Sequence, residues 1–292
     1  MAVGGKCLGC SRLAGGNCNE CSWQGTCIYT LYQQNRKAVD VPSREERLAK
    51  IIEKKKYGKA LTVFAVEADK GYCQRAMRPG AYVFARDSDE DRWMDVALTV
   101  LKAEPDKSRI HLAVSACGAK SISLSQSMES IIMRGIYFNG LVGMDSLDEE
   151  AEDCRVFAKG ISIACLRNFF DGGYIWSRYL RNMKIYIDIE KINMDFLKEY
   201  FGDLPACTTQ IVEMRKCLSG EEPEGEGFDV GGKQGNVIAL VSPFYAKKIE
   251  GIFCREVVKP IGATVCCGEG ICGACSFDDE EGKTVHLCKA RS

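Results

Sequence analysis

From about residue 60 the chain settles into short apolar runs of strand length. LTVFAVEA (61–68), AYVFAR (81–86), WMDVALTVLKAE (93–104) and RIHLAVSA (109–116) are rich in β-branched and aromatic residues. Gly71, Pro79-Gly80, Asp106 and Gly118 separate them. Short strands at this spacing predict a small antiparallel barrel or sandwich. SQSMESIIMRGIYFNGLVG (125–143) adds a further strand and a glycine-bounded loop. From about residue 150 the rhythm changes. CRVFAKGISIACLRNFFDGGY (154–174) reads as strand, glycine turn and helix. KIYIDIEKIN (184–193) reads as a strand, MDFLKEYFG (194–202) as a helix, NVIALVS (236–242) as a strand and PFYAKKIEGIFCREVV (243–258) as a helix. Strands alternating with helices predict a parallel sheet. The Gly- and acid-rich stretch 220–235 predicts a surface loop.

Upstream of the first strand run, Ser43 followed by Glu46 makes a capping-box pattern. Leu48, Ile51 and Ile52 then share one face of an expected short helix over 44–56. Lys54, Lys55 and Lys56 suit its C-terminal end, and Gly58 stops it. Residues 1–42 and the tail from Ile261 show no such periodicity and are rich in Gly and Cys. The expected division is therefore 1–57 as a Cys-rich module with a linker helix, 58–149 as a β-barrel, 150–260 as an α/β domain, and 261–292 as a second Cys-rich module. The fold class expected is multi-domain, β plus α/β.

Composition changes this picture at one point. The net charge of −1 gives no general attraction to nucleic acid or to an anionic membrane surface. No apolar run reaches the roughly 20 residues of a membrane span, and no apolar signal-peptide core follows Met1. The 17 Cys in 292 residues are the abnormal figure, because secreted disulfide scaffolds are usually short. A reduced, cytoplasmic protein that uses thiols for metal or redox work is expected. With His111 and His286 as the only histidines, Ser/His or Cys/His nucleophile chemistry finds little support.

Two thiol groups stand out. Cys267, Cys272, Cys275 and Cys288 follow the C-x4-C-x2-C…C order of plant-type [2Fe–2S] ferredoxins. Gly268, Gly270 and Gly273 let the loop backbone lie against cluster sulfide. The turn-like DDEEG (278–282) fits a hairpin that returns Cys288 to the others. Structural zinc usually uses two short Cys pairs, and here there is one, so the spacing favours iron–sulfur. Cys266 is a bystander beside a ligand. Cys7, Cys10, Cys18, Cys21 and Cys27 form the second group, and their spacing alone leaves zinc and an iron–sulfur cluster open. The redox iron expected at the other end favours a second cluster, [4Fe–4S] by ligand number.

These residues resemble a known family. CGEGICGAC (267–275), behind a β domain and an α/β domain, resembles the iron–sulfur electron-transfer subunit of dihydroorotate dehydrogenase and the small subunits of electron-bifurcating NADH-dependent ferredoxin:NADP oxidoreductases. Both are ferredoxin–NADP reductase-like. The resemblance spans residues 58–288. RPGAYVFAR (78–86) resembles the barrel strand PGQFVxxR, and HLAVSACGAKSISL (111–124) the G-x-K-T segment that holds flavin phosphate. IIMRGIYFNGLVG (131–143) resembles RGPYxNGxxG, and VFAKGISIAC (156–165) the GGIGxAP nucleotide turn. CSWQGTCIY (21–29) is similar to the end of a Cys-rich N-terminal module in one branch. The resemblance implies FAD on the barrel, NAD(P) on the α/β domain, and partner redox subunits of a hetero-oligomeric flavoprotein complex, with ferredoxin a further partner. Arg86, Thr99, Gly118, Lys120, Ser121 and Gly160 are the cofactor-binding residues it carries onto this chain. The chain departs from the family where Val96 replaces the arginine that faces flavin diphosphate. Ile136, Ser162 and Cys165 also replace residues of the two turns. These departures weigh against NAD(P), leave FAD open, and set a scaffold that carries only clusters beside the electron-transfer reading.

Overall fold

The computed structural model describes residues 10, 18, 27–30, 46–172, 176, 178–190, 192–203, 209–219, 235–261, 265–268, 274–278, 282 and 284–289. Contacts divide the chain into two compact units. One comprises Met1–Glu46 and Ala263–Lys289, the other Arg47–Gly262 with Ala290–Ser292.

In the larger unit six strands close a barrel: β1 (Glu46–Tyr57), β2 (Leu61–Glu67), β3 (Tyr82–Asp87), β4 (Val96–Glu104), β5 (Arg109–Ser115) and β6 (Ser130–Tyr137). Their order around it is β1-β2-β5-β4-β3-β6, and the paired strands run antiparallel. Closure removes the exposed edges that a six-stranded open sheet would carry. Phe64, Val66, Val83, Val100, Leu112, Ile131 and Met133 fill the interior. Two helices lie outside the strand order, α1 (Lys70–Ala76) and α2 (Ala119–Gln126). The Asp69 carboxylate caps α1 by accepting from Tyr72 N at 2.8 Å.

The helix expected over 44–56 is instead most of strand β1. Its side chains alternate, with Ala49, Ile51 and Tyr57 buried while Leu48 is 69% and Ile52 50% exposed. The helical pattern came from Leu48, Ile51 and Ile52, two of which face outward here. A bulge between Ile51 and Glu53 shifts the register against β2 and accounts for two successive outward residues. Pairing with β2 supplies hydrogen bonds that local helix preference cannot match once the barrel needs a closing strand. The barrel thus begins at Glu46 rather than at 58.

Beyond the barrel, β7 (Leu141–Val142) precedes a four-stranded sheet built from β8 (Cys154–Lys159), β9 (Met183–Asp188), β10 (Thr209–Ile211) and β11 (Asn236–Leu240). The helices α3 (Ala164–Asp171), α4 (Met194–Phe201), α5 (Met214–Ser219) and α6 (Pro243–Phe253) alternate with them. Sheet order is β10-β9-β8-β11, parallel throughout, as the alternating pattern implies. Buried Val156, Ile185, Ile238, Phe169 and Phe196 form its core. β12 (Lys259–Pro260) pairs with β7. α3 ties this sheet to the barrel. Its fully buried Asn168 donates from Nδ2 to Val100 O at 3.0 Å and to Ala76 O at 3.3 Å. In the smaller unit, β13 (Ser276–Asp278) and β14 (Thr284–His286) form an antiparallel hairpin.

Candidate functional site

The hairpin positions two of the predicted thiols. Cys275 stands immediately before β13 and Cys288 two residues after β14, so pairing Ser276 with His286 brings the two together. Leu287 N donates to Cys275 O at 3.1 Å, and Cys288 N donates to Cys275 Sγ at 3.4 Å. Both thiols are buried, as is Cys267 in the same unit. Gly268, which follows Cys267, has φ +69°, a conformation that favours glycine. A backbone N–H aimed at sulfur is a contact that cluster-bound thiolates use. The donor chemistry therefore fits a thiolate-held group. Cys272 lies outside the described residues. Among the described residues, no three Cys, His, Asp or Glu side chains stand close enough together to hold a metal ion. Cys266 is exposed, unlike its neighbour. The His286 ring is turned to Ser276, with Nδ1 3.0 Å from Oγ.

Of the N-terminal thiols, Cys10 is buried while Cys18 and Cys27 are exposed, and Cys7 and Cys21 lie outside the described residues. Hydrogen bonds from the Thr30 side chain and backbone, with a smaller one from Tyr29, hold the Cys27 thiol below its usual value. Cys27 precedes a helical segment at 28–30, where backbone N–H groups favour a thiolate.

The cofactor-binding side chains that the resemblance carries onto this chain have partners within the protein. Arg86 is buried, on the face of β3 opposite the interior residues Val83 and Ala85. Its Nε donates to Glu90 O at 2.9 Å and its Nη1 to Asp95 Oδ1 at 2.8 Å. Arg134, also buried, reaches the other oxygen of Asp95 at 3.0 Å through Nη2 and lies over the Phe84 ring at 4.3 Å. It also donates to the Tyr137 hydroxyl. The Asp95 carboxylate is 4% exposed, so one anion sits between two guanidiniums. Val96, in place of the family's arginine, follows it and pairs with Ala85.

Thr99 Oγ1 lies 3.7 Å from the Sγ of Cys165, whose thiol is pushed up to about 11 by burial. At the start of α2, the Ser121 hydroxyl accepts from Cys117 N and Gly118 N, each at 3.1 Å. Lys120 donates its ammonium to the carbonyl of Trp93. Gly118 has open space where a Cβ would be.

At the carboxyl end of β8, Gly160 turns with φ +64° and open space beside it. It borders a cleft of about 450 Å³ that Tyr57, Lys59, Leu61, Ile161, Asn193 and Phe196 also line. That is the end of a parallel sheet where ligands commonly lie, and the volume is that of a small-molecule site. Lys159 beside it is held by Asp188 at 2.5 Å and Glu190 at 2.7 Å. Burial opposes its charge, but those bonds hold it above the usual lysine value.

No protein-family model matches this sequence, and no curated protein does. Solved structures do match in shape. A chain of the NADH-dependent reduced ferredoxin–NADP oxidoreductase, solved for insight into flavin-based electron bifurcation, aligns at TM-score 0.59 and 16% identity, over 83% of this chain and 86% of that one. Phthalate dioxygenase reductase, a modular structure for electron transfer from pyridine nucleotides to [2Fe–2S], aligns at 0.52 and 14% identity, over 82% and 75%. A ferredoxin NADP+ reductase from Neisseria gonorrhoeae with bound FAD and NADP aligns at 0.53 and 12% identity, over 72% and 90%. The fold is ferredoxin–NADP reductase-like. A closed barrel leading into a parallel α/β sheet is the architecture these reductases share with the chain. Identity at this level carries the fold and leaves each site to its own geometry.

The ferredoxin-reductase-like frame also shows what residue reading missed. Asp95, Arg134, Asp188 and Glu190 were not among the candidates. Charged residues inside apolar strand runs were the available signal. Asp95 opens DVALTV, Arg134 interrupts IIMRGIY, and Asp188 ends KIYID.

Proposed function

We propose that the chain is an iron–sulfur electron-transfer subunit of a multi-subunit flavin-dependent NAD(P)/ferredoxin oxidoreductase. It would pass single electrons between a flavin or nucleotide and partner subunits, in the cytoplasm. The observation that carries this reading is the Cys275/Cys288 hairpin, with its buried thiols and its N–H···S bond. Cys267, Cys272, Cys275 and Cys288 would hold a [2Fe–2S] cluster, which supplies a one-electron acceptor and donor when bound. Four of Cys7, Cys10, Cys18, Cys21 and Cys27 would hold a second, [4Fe–4S] cluster.

The chain's own part is to fix sulfur positions. The pairing of Ser276 with His286 in the hairpin holds Cys275 and Cys288 near each other. The Cys288 N–H stabilises negative charge on Cys275 sulfur, and burial of the thiols keeps water away. Little rearrangement is needed for an electron to come or go, and no side chain has to move a proton. The shared fold with a bifurcating ferredoxin–NADP oxidoreductase and with phthalate dioxygenase reductase supports a place in an electron-transfer chain. Among the described residues no helix is long and apolar enough to cross a membrane.

The test is Cys275→Ser in protein purified without oxygen and reduced with dithionite. One EPR signal should be lost or shifted while the signal of the N-terminal group persists. An unchanged spectrum would refute the ligand assignment. A second reading, a scaffold that bridges redox subunits through clusters alone, is favoured by the Asp95 ion pairs.

A further inference from the structure

Arginine binds carboxylate and phosphate through the same forked donors, so a guanidinium held by a buried carboxylate is not available to a diphosphate. Arg86 and Arg134 are the two buried arginines on β3 and β6, strands that pair with each other beside β4. Both are taken by Asp95, which also presents a fixed negative charge to any anion brought there. The other side chains that the resemblance assigns to a flavin also have partners within the protein. Ser121 Oγ satisfies the first backbone N–H groups ahead of α2, Lys120 is bound to the Trp93 carbonyl, and the Thr99 hydroxyl faces Cys165 sulfur. The 450 Å³ cleft is lined by Gly160 and by none of Arg86, Thr99, Lys120 or Ser121.

Side-chain hydrogen bonds can rearrange when a ligand arrives, but the Asp95 carboxylate is tied by the chain to Val96, which opens β4, and is buried between the two arginines. It is bracketed at 2.8 and 3.0 Å by the only cations that bond it among the described ion pairs. A diphosphate would have to displace that carboxylate from both guanidiniums and leave it buried without a counter-charge.

We propose that Asp95 is a built-in anion standing where a flavin diphosphate would need cations, so that this barrel carries no FAD of its own. The Arg86–Asp95–Arg134 triplet is then a structural ion cluster. Any flavin that exchanges electrons with this chain sits on a partner subunit. The inference rests on the electron-transfer reading only for that last consequence.

The test uses the full chain purified without oxygen, with iron and sulfide measured in the same sample. FAD is titrated by ultrafiltration and by flavin fluorescence. The wild type is expected to show no saturable binding in the micromolar range. Asp95→Asn, which keeps the shape and frees the guanidiniums of a counter-charge, is expected to bind FAD or inorganic pyrophosphate at least about tenfold more tightly than wild type, a gain of about 1.4 kcal/mol. Circular dichroism checks that the variant is folded. If it does not fold, the wild-type titration alone decides. One FAD retained per wild-type chain overturns the proposal, and so does a folded Asp95→Asn that binds no better than wild type. Flavin retained alongside iron and sulfide sinks this inference and leaves the electron-transfer reading standing. Absence of iron and sulfide sinks that reading whatever the flavin does.

Discussion

When Asp95 is truncated to Ala, two buried guanidiniums lose their shared counter-charge while staying out of water. Breaking a buried ion pair from one side costs about 3–5 kcal/mol. Asp95→Ala should therefore lower the denaturant midpoint strongly. The triple change Arg86→Met, Asp95→Leu, Arg134→Met should cost clearly less, because no orphaned charge remains. Urea unfolding of the three proteins checks this, and a triple variant less stable than the single one would contradict the geometry. The same residue shows how far the sequence could be read. The missing arginine at Val96 was visible as a departure. The neighbouring Asp95 was not singled out, because its meaning depends on Arg86 and Arg134 arriving from two other strands. Thiols behaved differently. Cys267, Cys275 and Cys288 stand out by their spacing in the chain, and all three are buried, yet among the described residues they do not form a group close enough to hold a metal ion.

At the scale of elements, β1 is the instructive case. The run 44–56 carries a capping box and lysines at its end, both honest local signals for a helix. Barrel closure overrode them, since the strand gains its bonds from β2, a partner whose pairing the local pattern does not reveal. The two readings differ in which side chains matter. Leu48→Lys should be nearly neutral, within about 0.5 kcal/mol, because Leu48 is already exposed. Ala49→Lys should be severely destabilising, because it buries an unpaired ammonium. Thermal melts of both check the strand, and the reverse order would restore the helix.

The junction of β4 and β5 with α4 offers a second test at this scale. His111 is buried, with Nδ1 3.0 Å from the Tyr200 hydroxyl and Nε2 2.9 Å from Glu104. Burial lowers its affinity for a proton, and Glu104 only partly offsets that, with Arg109 and Lys102 adding to the lowering. Burial also opposes the charge of Glu104, yet bonds from Lys107, Arg109 and His111 hold its carboxyl well below the usual range. For both groups the unfolded chain takes up protons at a higher pH than the folded one. Stability is therefore full above the unfolded His value of about 6.5 and falls as pH drops below it, with Glu104 extending the loss into the carboxylate range. His111→Gln should flatten the dependence of Tm on pH between about 7 and 5. An unchanged slope would show that His111 does not titrate this way.

For the whole molecule, barrel, parallel sheet and Cys-rich ends were expected from rhythm and composition. The barrel and the sheet match the ferredoxin-reductase-like structures in shape. Polarity of the interior was beyond that reading, because ion clusters such as Arg86–Asp95–Arg134 and Lys159–Asp188–Glu190 join residues from different strands or from a strand and the loop beyond it. The account proposed above is a ferredoxin-reductase-like fold whose chemistry would reside in the Cys-rich segments. The measurement that tests it most directly is quantitation of iron, acid-labile sulfide and zinc on the full chain purified without oxygen. The account predicts iron and sulfide together, with no stoichiometric zinc. Zinc bound without acid-labile sulfide would contradict it.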